Sequence, residues 1–262
     1  MATLKNIGDR MKQYERDCMG SSLMPFLPTI VRLDGRAFHS FTAGLDRPLD
    51  ATFQSMMIDT TKFLVEQSNA LMGYVQSDEI SLLLYSGSLE GDIFFGAKKF
   101  KIVSILAAMA SVRFNRLCQE RLPHKAHMDP LFDARVFQVP TKDEAVNAFK
   151  WRWKDALKNS VSMVAQANFS HKQLHKKSTT TKIEMLLEKD VDWHQFDPGF
   201  RYGVFVRRNK TLEKFTPDEV ASLPPKHDYF KNPDLVIERA VIKQFSSDKP
   251  LNVKQLFGED QC

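Results

Sequence analysis

Two acidic sites in this chain carry the residue types that handle metal-bound phosphates. The first is Leu33-Asp34-Gly35-Arg36, which closes an apolar run over residues 26–33. The second is Asp78-Glu79, within Gln76-Ser77-Asp78-Glu79-Ile80-Ser81. An aspartate at a strand end and another at a strand-to-strand turn can share divalent cations, which is how a two-metal site for nucleotidyl transfer is built. Gly35 lets the backbone bend sharply, and lets its carbonyl approach a cation without a side chain in the way. Mg²⁺ takes oxygen ligands and keeps water and phosphate in its shell. The plainer alternative for Asp34-Gly35 is a simple turn after a strand. Asp78 and Glu79 at a hairpin tip can equally be solvated. Glu79, however, directly precedes an apolar strand, and an inward-facing charge there needs a partner, such as a cation held with Asp34 and Asp78.

Positive and aromatic residues surround these acids in sequence. The loop Gly35-Arg36-Ala37-Phe38-His39-Ser40 offers backbone donors, a guanidinium and a ring, which suit a triphosphate and a base. His39 is expected to pack rather than stack on a base, the commoner fate of a single histidine. Arg47, Lys98, Lys99 and Lys101 add charge. Lys98 and Lys101 lie three apart on one helical face, as a polyphosphate clamp or as a solvated helix start. Trp151-Arg152-Trp153-Lys154-Asp155 and Lys158 combine rings and cations as RNA-binding surfaces do. The alternative is a buried stripe of Trp151, Ala156 and Val161. A second basic cluster, His171, Lys172, His175, Lys176 and Lys177, reads as a phosphate contact or as a solvated turn.

The elements that must position these groups alternate in a definite order. Residues 26–33 read as a buried strand and 36–47 as a loop. Phe53, Met56, Met57, Thr60, Phe63 and Leu64 share one face of a helix over 49–70, with Asp50 as its N-cap. A hairpin over 71–85 turns at Gln76-Ser77-Asp78, and Gly87, Gly91 and Gly96 punctuate the loop after it. A helix over 98–122 stops before Pro123, and 134–139 read as a strand ended by Pro140. This βαββαβ order predicts an α+β fold with a ferredoxin-like core of the kind also used as a polymerase palm. Beyond Pro140, Thr141 with Glu144 starts a helix through Ala167. A polar stretch, a short helix over 183–189 and late strands over 202–206 and 235–242 follow. Residues 211–234, rich in proline, read as a surface excursion. No linker marks a second domain. The expected layout is one palm-like catalytic domain over 1–262, with a metal- and nucleotide-binding core at 6–140, a helical part at 141–208 and a peripheral extension at 209–262.

Bulk properties narrow the class without choosing it. A net charge of +5 permits a polyanionic partner and does not require one. Cys18, Cys118 and Cys262 show no C-x-x-C spacing, so neither a zinc site nor a disulfide framework is expected, and a reducing cytoplasm fits. The apolar stretches fall short of a bilayer span, and Met1-Ala2-Thr3-Leu4-Lys5 lacks the apolar region of a secretory signal. A soluble cytoplasmic protein is expected.

Taken together, certain segments resemble a known family. They are Ile7-Gly8-Asp9-Arg10-Met11-Lys12-Gln13-Tyr14-Glu15, Val31-Arg32-Leu33-Asp34-Gly35-Arg36-Ala37-Phe38-His39 and Gln76-Ser77-Asp78-Glu79-Ile80-Ser81. Phe132-Asp133-Ala134-Arg135-Val136-Phe137, Asn159-Ser160 after Trp151-Arg152, and His175-Lys176-Lys177-Ser178-Thr179 add to them. Over residues 6–208 the chain is similar to the tRNA-His guanylyltransferase superfamily, and most nearly to its guanylyltransferase-like branch. The resemblance implies a Mg²⁺-dependent enzyme that adds nucleotides to tRNA 5′ ends in the 3′→5′ direction, with ATP and GTP or another NTP as substrates. It implies that Asp34 and Asp78 hold two Mg²⁺ ions, with the Gly35 carbonyl as a further ligand and Glu79 as a supporting acid. It places Arg36, Ala37, Phe38, His39, Arg47, Ser77, Lys98 and Lys101 around the nucleotide. Arg152, Lys158, Asn159, His175 and Lys176 would face tRNA, and family members assemble as tetramers. One departure stands out: where the eukaryotic tRNA-His enzymes carry His-Ile-Asn-Asn, this chain reads Leu157-Lys158-Asn159-Ser160. The missing histidine favours templated repair of 5′-truncated tRNA. The alternatives are dedicated addition of guanylate to tRNA-His, a palm-type enzyme using NTP without tRNA, or a non-catalytic RNA-binding module.

Overall fold

The computed structural model of the chain describes residues 7–18, 22–88 and 94–258. Met1–Lys5, Gly91 and Cys262 lie outside the described residues. A helix α1 (Ile7–Cys18) precedes strand β1 (Thr29–Gly35). The segment after β1, expected as a loop, contains a single helical turn, α2 (Phe38–Phe41), which exists because both of its phenylalanines are buried. Helix α3 (Ala51–Ser68) starts where Asp50 accepts a hydrogen bond from the Phe53 amide at 2.8 Å, the expected N-cap. Strands β2 (Met72–Gln76) and β3 (Glu79–Leu84) form the expected hairpin. Helix α4 (Lys99–Arg121) ends two residues before Pro123, and β4 (Phe132–Gln138) closes the βαββαβ unit.

The C-terminal half begins with the long helix α5 (Lys142–Asn168), capped by Thr141, whose hydroxyl accepts from the Glu144 amide at 3.1 Å. Short helices α6 (His171–Leu174), α7 (Thr179–Leu187) and α8 (Pro198–Tyr202) follow. The late strands are longer than alternation alone suggests. Strand β5 runs Val204–Lys214 and β6 runs Val236–Phe245, with helix α9 (Pro217–Ser222) between them. The first residues of the excursion expected over 211–234 therefore belong to β5, and α9 lies within it. Helix α10 (Val253–Phe257) completes the described chain.

The six strands of the described residues lie in one antiparallel sheet of order β4-β1-β3-β2-β5-β6. The first four strands have the ferredoxin-like order, and β5 and β6 extend it past β2. Side chains alternate between the two faces as strand geometry requires. Val31, Leu33, Ile80 and Leu82 pack under α3 and α4. Ile30, Met72, Tyr74, Leu83 and Phe205 face α5 and its shorter neighbours. Residues beyond 208 take part in this architecture. Strand β6 pairs along the whole of β5 except its first residue, and Leu251 and Leu256 are buried in the α5-side core. The outcome is a three-layer α+β fold with a palm-like core.

Candidate active site

The acidic residues sit at one end of the central strands. Asp34 is the penultimate residue of β1, in register with Glu79 on β3 and Asp133 on β4. The Gly35 amide donates to the Asp78 carbonyl at 3.1 Å, tying the end of β1 to the β2–β3 turn. That bond brings the two separated acidic motifs together. The turn itself is tight: Ser77 has a positive φ of 50°, a conformation costly for a non-glycine residue and held by the hairpin on either side. Gly35 has its own reason. A Cβ there would overlap the Phe38 ring, which lies directly against the glycine.

Charge at this end is unevenly compensated. Burial pushes the Asp78 carboxyl above the ordinary carboxylate range, and Asp34 adds to the rise, opposed by hydrogen bonds from its own backbone and from Ser77. Burial likewise raises Glu79, and Arg152 opposes it. Neither Asp34 nor Asp78 has an ion-pair partner among the described residues. Glu79 does, and the partner is not a cation shared with Asp34 and Asp78. The Arg152 guanidinium on α5 grips it in a fork, Nε to one carboxylate oxygen and Nη2 to the other, both at 2.6 Å. Asp155, one turn further along α5, takes the remaining Arg152 nitrogen at 2.7 Å. Arg152 was expected on RNA, yet only 12% of its side chain is exposed and its donors are engaged inside the protein.

Beside the acids lies a cavity of about 420 Å³. It is walled by the 39–50 loop, the start of α3, the β2–β3 turn and the middle of α5. His39, Arg47, Ser77 and Asn159 line it, so four residues drawn from three distant segments meet around one space. Phe53, Met57 and Met163 give it apolar walls, and Gln76 and Gln166 supply amides. Met163 and Gln166 belonged to no sequence motif; only their convergence on the cavity marks them. A second cleft shares Arg47 and Gln166 with the first and is lined by His171, His175, Lys176 and Lys182. The basic cluster of the polar loop thus adjoins the cavity through Arg47.

Other expected positions differ. Phe38 is 2% exposed, packed against the rings of Phe41, Phe53, Phe114 and Phe132. Its side chain belongs to the core, because the bend at Gly35 turns it inward. His39, expected to pack, is exposed and hydrogen-bonded to Ser40. Arg36, Ala37 and Lys158 are exposed, and Ala37 adopts a left-handed φ of 56°. Lys98 and Lys101 are exposed at the start of α4, with the Lys101 ammonium 4.9 Å from the Phe95 ring centre; neither lines the cavity. The stripe expected on α5 is shifted: Ala156 and Val161 are buried, but the buried tryptophan is Trp153, whereas Trp151 is half-exposed.

Gly35→Ala tests the close approach of Phe38. We expect a loss of about 1–3 kcal/mol from overpacking, read as a lower midpoint in urea unfolding. An unchanged midpoint would mean that Phe38 can move aside freely.

The model of the family described as Thg1, tRNAHis guanylyltransferase, matches residues 8–140, the segment that holds both acidic motifs and the whole βαββαβ unit. The chain belongs to this family. Its activity is therefore nucleotidyl transfer of the guanylyltransferase kind. A bacterial tRNA(His) guanylyltransferase-like protein, solved in complex with ATP, is 38% identical and superposes with a TM-score of 0.72, over 78% of this chain and 87% of that one. A bacterial protein of the same description, solved with GTP, is 35% identical with a TM-score of 0.66, over 78% and 86% of the two chains. The tRNA(His) guanylyltransferase of Debaryomyces hansenii is 27% identical over 215 residues, which is 76% of this chain and 78% of that one. Among the described residues no helix is long and apolar enough to cross a membrane.

Proposed function

We propose that this guanylyltransferase-family member binds ATP and GTP and transfers a nucleotide to the 5′ end of tRNA, with guanylate addition to tRNA-His as the leading reading. The observation that carries it is the convergence of Asp34 and Asp78 beside a nucleotide-sized cavity. The named relatives support guanylate addition. A second reading, templated repair of 5′-truncated tRNA, draws on Leu157, which stands where the eukaryotic enzymes have histidine.

Two Mg²⁺ ions suit the donor set. Among the described residues no group of three or more His, Cys, Asp or Glu side chains is placed to cage a metal. Mg²⁺ needs no such cage, since it binds through one or two carboxylates and fills its shell with water and substrate phosphates. Asp34, Asp78 and the Gly35 carbonyl would hold it. When bound, it would lower the pKa of an attacking hydroxyl and offset phosphate charge.

The protein's own groups would place the substrates. The cavity's apolar walls would take the base of a nucleotide, and Ser77, His39 and Arg47 would fix its phosphate end. Arg47 also faces the second cleft, where His175 and Lys176 would contact tRNA phosphates. In the reaction, the tRNA 5′-phosphate attacks the α-phosphorus of ATP and releases pyrophosphate, leaving an adenylylated 5′ end. The 3′-hydroxyl of the incoming nucleotide then attacks the tRNA 5′-phosphate and releases AMP. A homotetramer is part of this reading, and a monomer by light scattering would remove it.

Substrate choice separates the readings. The protein would be given tRNA-His lacking its extra guanylate, and other tRNAs lacking their first nucleotide, with each NTP in turn. Guanylate addition confined to tRNA-His supports the leading reading. Addition that follows the opposite base in any truncated tRNA supports repair. Turnover of NTP without RNA discards both.

The raised carboxyls make a further prediction. A carboxyl whose folded pKa is raised holds its proton better in the folded state, so its contribution to stability is complete below the unfolded value and lost as pH rises through the folded one. For Asp78 and Glu79 the unfolded values are 3.8 and 4.5, and both move up. The metal-free protein should therefore lose stability just above the ordinary carboxylate range. Mg²⁺ favours the ionised form, so it should raise Tm more at about pH 7 than at about pH 4. An equal rise at both would remove Asp78 from the metal site.

A further inference from the structure

The sheet face that carries Asp34 is only half covered. Helix α5 packs over β2, β3 and β5, through Tyr74, Leu83 and Phe205. The outward residues of β4, namely Asp133, Arg135 and Phe137, stay exposed. In register beside them on β1 are Asp34, Arg32 and Ile30, respectively, of which Ile30 is buried against the α5 side. The open half-face thus begins at the acidic site and runs away from the nucleotide cavity.

Three features of this face point to a nucleic-acid strand. The first is charge: Arg32 makes no ion pair among the described residues, and its guanidinium lies 5.4 Å from the Trp151 ring centre. The second is aromatic surface. Trp151 is 51% exposed and Phe137 37% exposed, and both line the same notch as Arg32. The third is an orphan polar group. Between these residues is a notch of roughly 10 Å³, lined in part by Ser81, whose hydroxyl is buried and lacks a hydrogen-bond partner. The notch has room for a single water, so a larger ligand must lie across it. Arg32 is two residues from Asp34 along β1, a distance of about 7 Å.

We propose that the open half of the sheet, around Arg32, Phe137 and Trp151, seats the terminal nucleotides of the RNA strand whose 5′ end reacts at Asp34. This rests on the transferase reading above and adds the path of the RNA. Nucleotide and RNA then approach the acids from opposite sides: the cavity beside β2 holds one, and the β1–β4 face holds the other. Arg32 meets a backbone phosphate, and the two rings offer faces or edges to bases. Sheet faces bearing aromatic side chains hold single-stranded RNA in this way, and stacking of this kind tolerates any base. An apolar protein partner would leave the Arg32 charge uncompensated, whereas an RNA phosphate neutralises it.

Trp151 reports on this directly. Of the three tryptophans, Trp153 and Trp193 are buried, so quenching by iodide isolates Trp151. Adding a tRNA transcript that lacks its first nucleotide to the Asp34→Asn protein should shield Trp151 from iodide, without turnover. In the otherwise unmodified enzyme, Arg32→Gln and Phe137→Ala should each raise KM for RNA about tenfold while leaving GTP affinity unchanged. Trp151→Leu should raise the RNA KM likewise, and the Arg32 and Phe137 changes carry the test should that variant fail to fold. RNA that binds without shielding Trp151, or an unchanged RNA KM in both variants, would overturn the inference. So would a variant that altered oligomer mass instead of RNA affinity, which assigns the face to a second copy of the chain. Transfer to tRNA without shielding would sink this inference alone. Shielding in the Asp34→Asn protein, with no transfer by the unsubstituted enzyme, would sink the transferase reading and leave the RNA seat standing.

Discussion

Asp34→Asn and Asp78→Asn are each expected to abolish nucleotide transfer almost completely, by about 10³-fold or more in kcat, with the fold intact. Each change removes one negative charge and keeps the side chain's shape. The charge matters because a bound divalent ion contributes several kcal/mol to stabilising developing phosphate charge, and every 1.36 kcal/mol is about a factor of ten in rate. Among the described residues neither aspartate is neutralised by a lysine or arginine. Removing either should therefore relieve repulsion at that end of the sheet, and the unfolding midpoint should hold or rise. Loss of activity with retained stability is the signature of a functional charge. The measurement is single-turnover extension of 5′-truncated tRNA across a Mg²⁺ titration, alongside thermal melts. A variant that extends RNA at the unsubstituted rate would release its aspartate from the assigned role. A variant that melts far below the parent would show that the carboxylate serves the fold.

Arg152→Met should give the opposite pattern. Glu79 and Arg152 are only 10% and 12% exposed, so their fork of hydrogen bonds lies largely out of water. Removing one partner leaves a buried carboxylate uncompensated, which costs about 3–5 kcal/mol in stability. Asp155 would lose its own contact with Arg152 at the same time. The loss should appear as a large fall in the urea midpoint with the slope unchanged. The paired change Arg152→Met with Glu79→Gln should recover much of it, since Glu79 then leaves no uncompensated buried carboxylate. Glu79→Gln alone keeps an acceptor for Arg152 and should be the mildest of the three. If the double variant is no more stable than Arg152→Met, the fork is not what the arginine contributes. Arg152 also joins α5 to the catalytic hairpin, so its loss should lower transfer through displacement of Asp78.

These expectations separate residues that look alike in the chain. Asp78 and Glu79 are neighbours, both acidic, both at a hairpin tip. Strand alternation sends them to different surroundings: Glu79 continues β3 in register with Asp34, and Asp78 sits in the turn. An inward charge at Glu79 requires compensation, and the sequence offers a nearby cation for it. The compensation comes instead from a helix more than seventy residues later. Nothing local to either residue announces that pair, although Arg152 and Asp155 are spaced to meet on one helical face.

Trp151 and Trp153 show the same limit. An apolar stripe on α5 was visible from its period, but a helix offers several overlapping stripes, and the choice depends on what packs against it. Trp153 stacks on Tyr202 at 5.1 Å and donates to the Ser247 carbonyl, contacts supplied by α8 and the segment after β6. Phe38 and His39 divide similarly. The tight contact of Phe38 with Gly35 turns the phenylalanine into the core and leaves the histidine outside.

The sequence by itself determined the order βαββαβ, the ends of its helices and the two acidic motifs. Those features rest on hydrophobic period, capping residues and glycine or proline placement, all of which act over a few neighbours. Tertiary structure alone decided which carboxylate stays free, which tryptophan is buried, and that β5 and β6 widen the sheet. It also decided which residues line the cavity, and that half of one sheet face stays open beside Asp34. Each of these depends on contacts between segments far apart in the chain, where burial and charge compensation are settled only once the layers have packed.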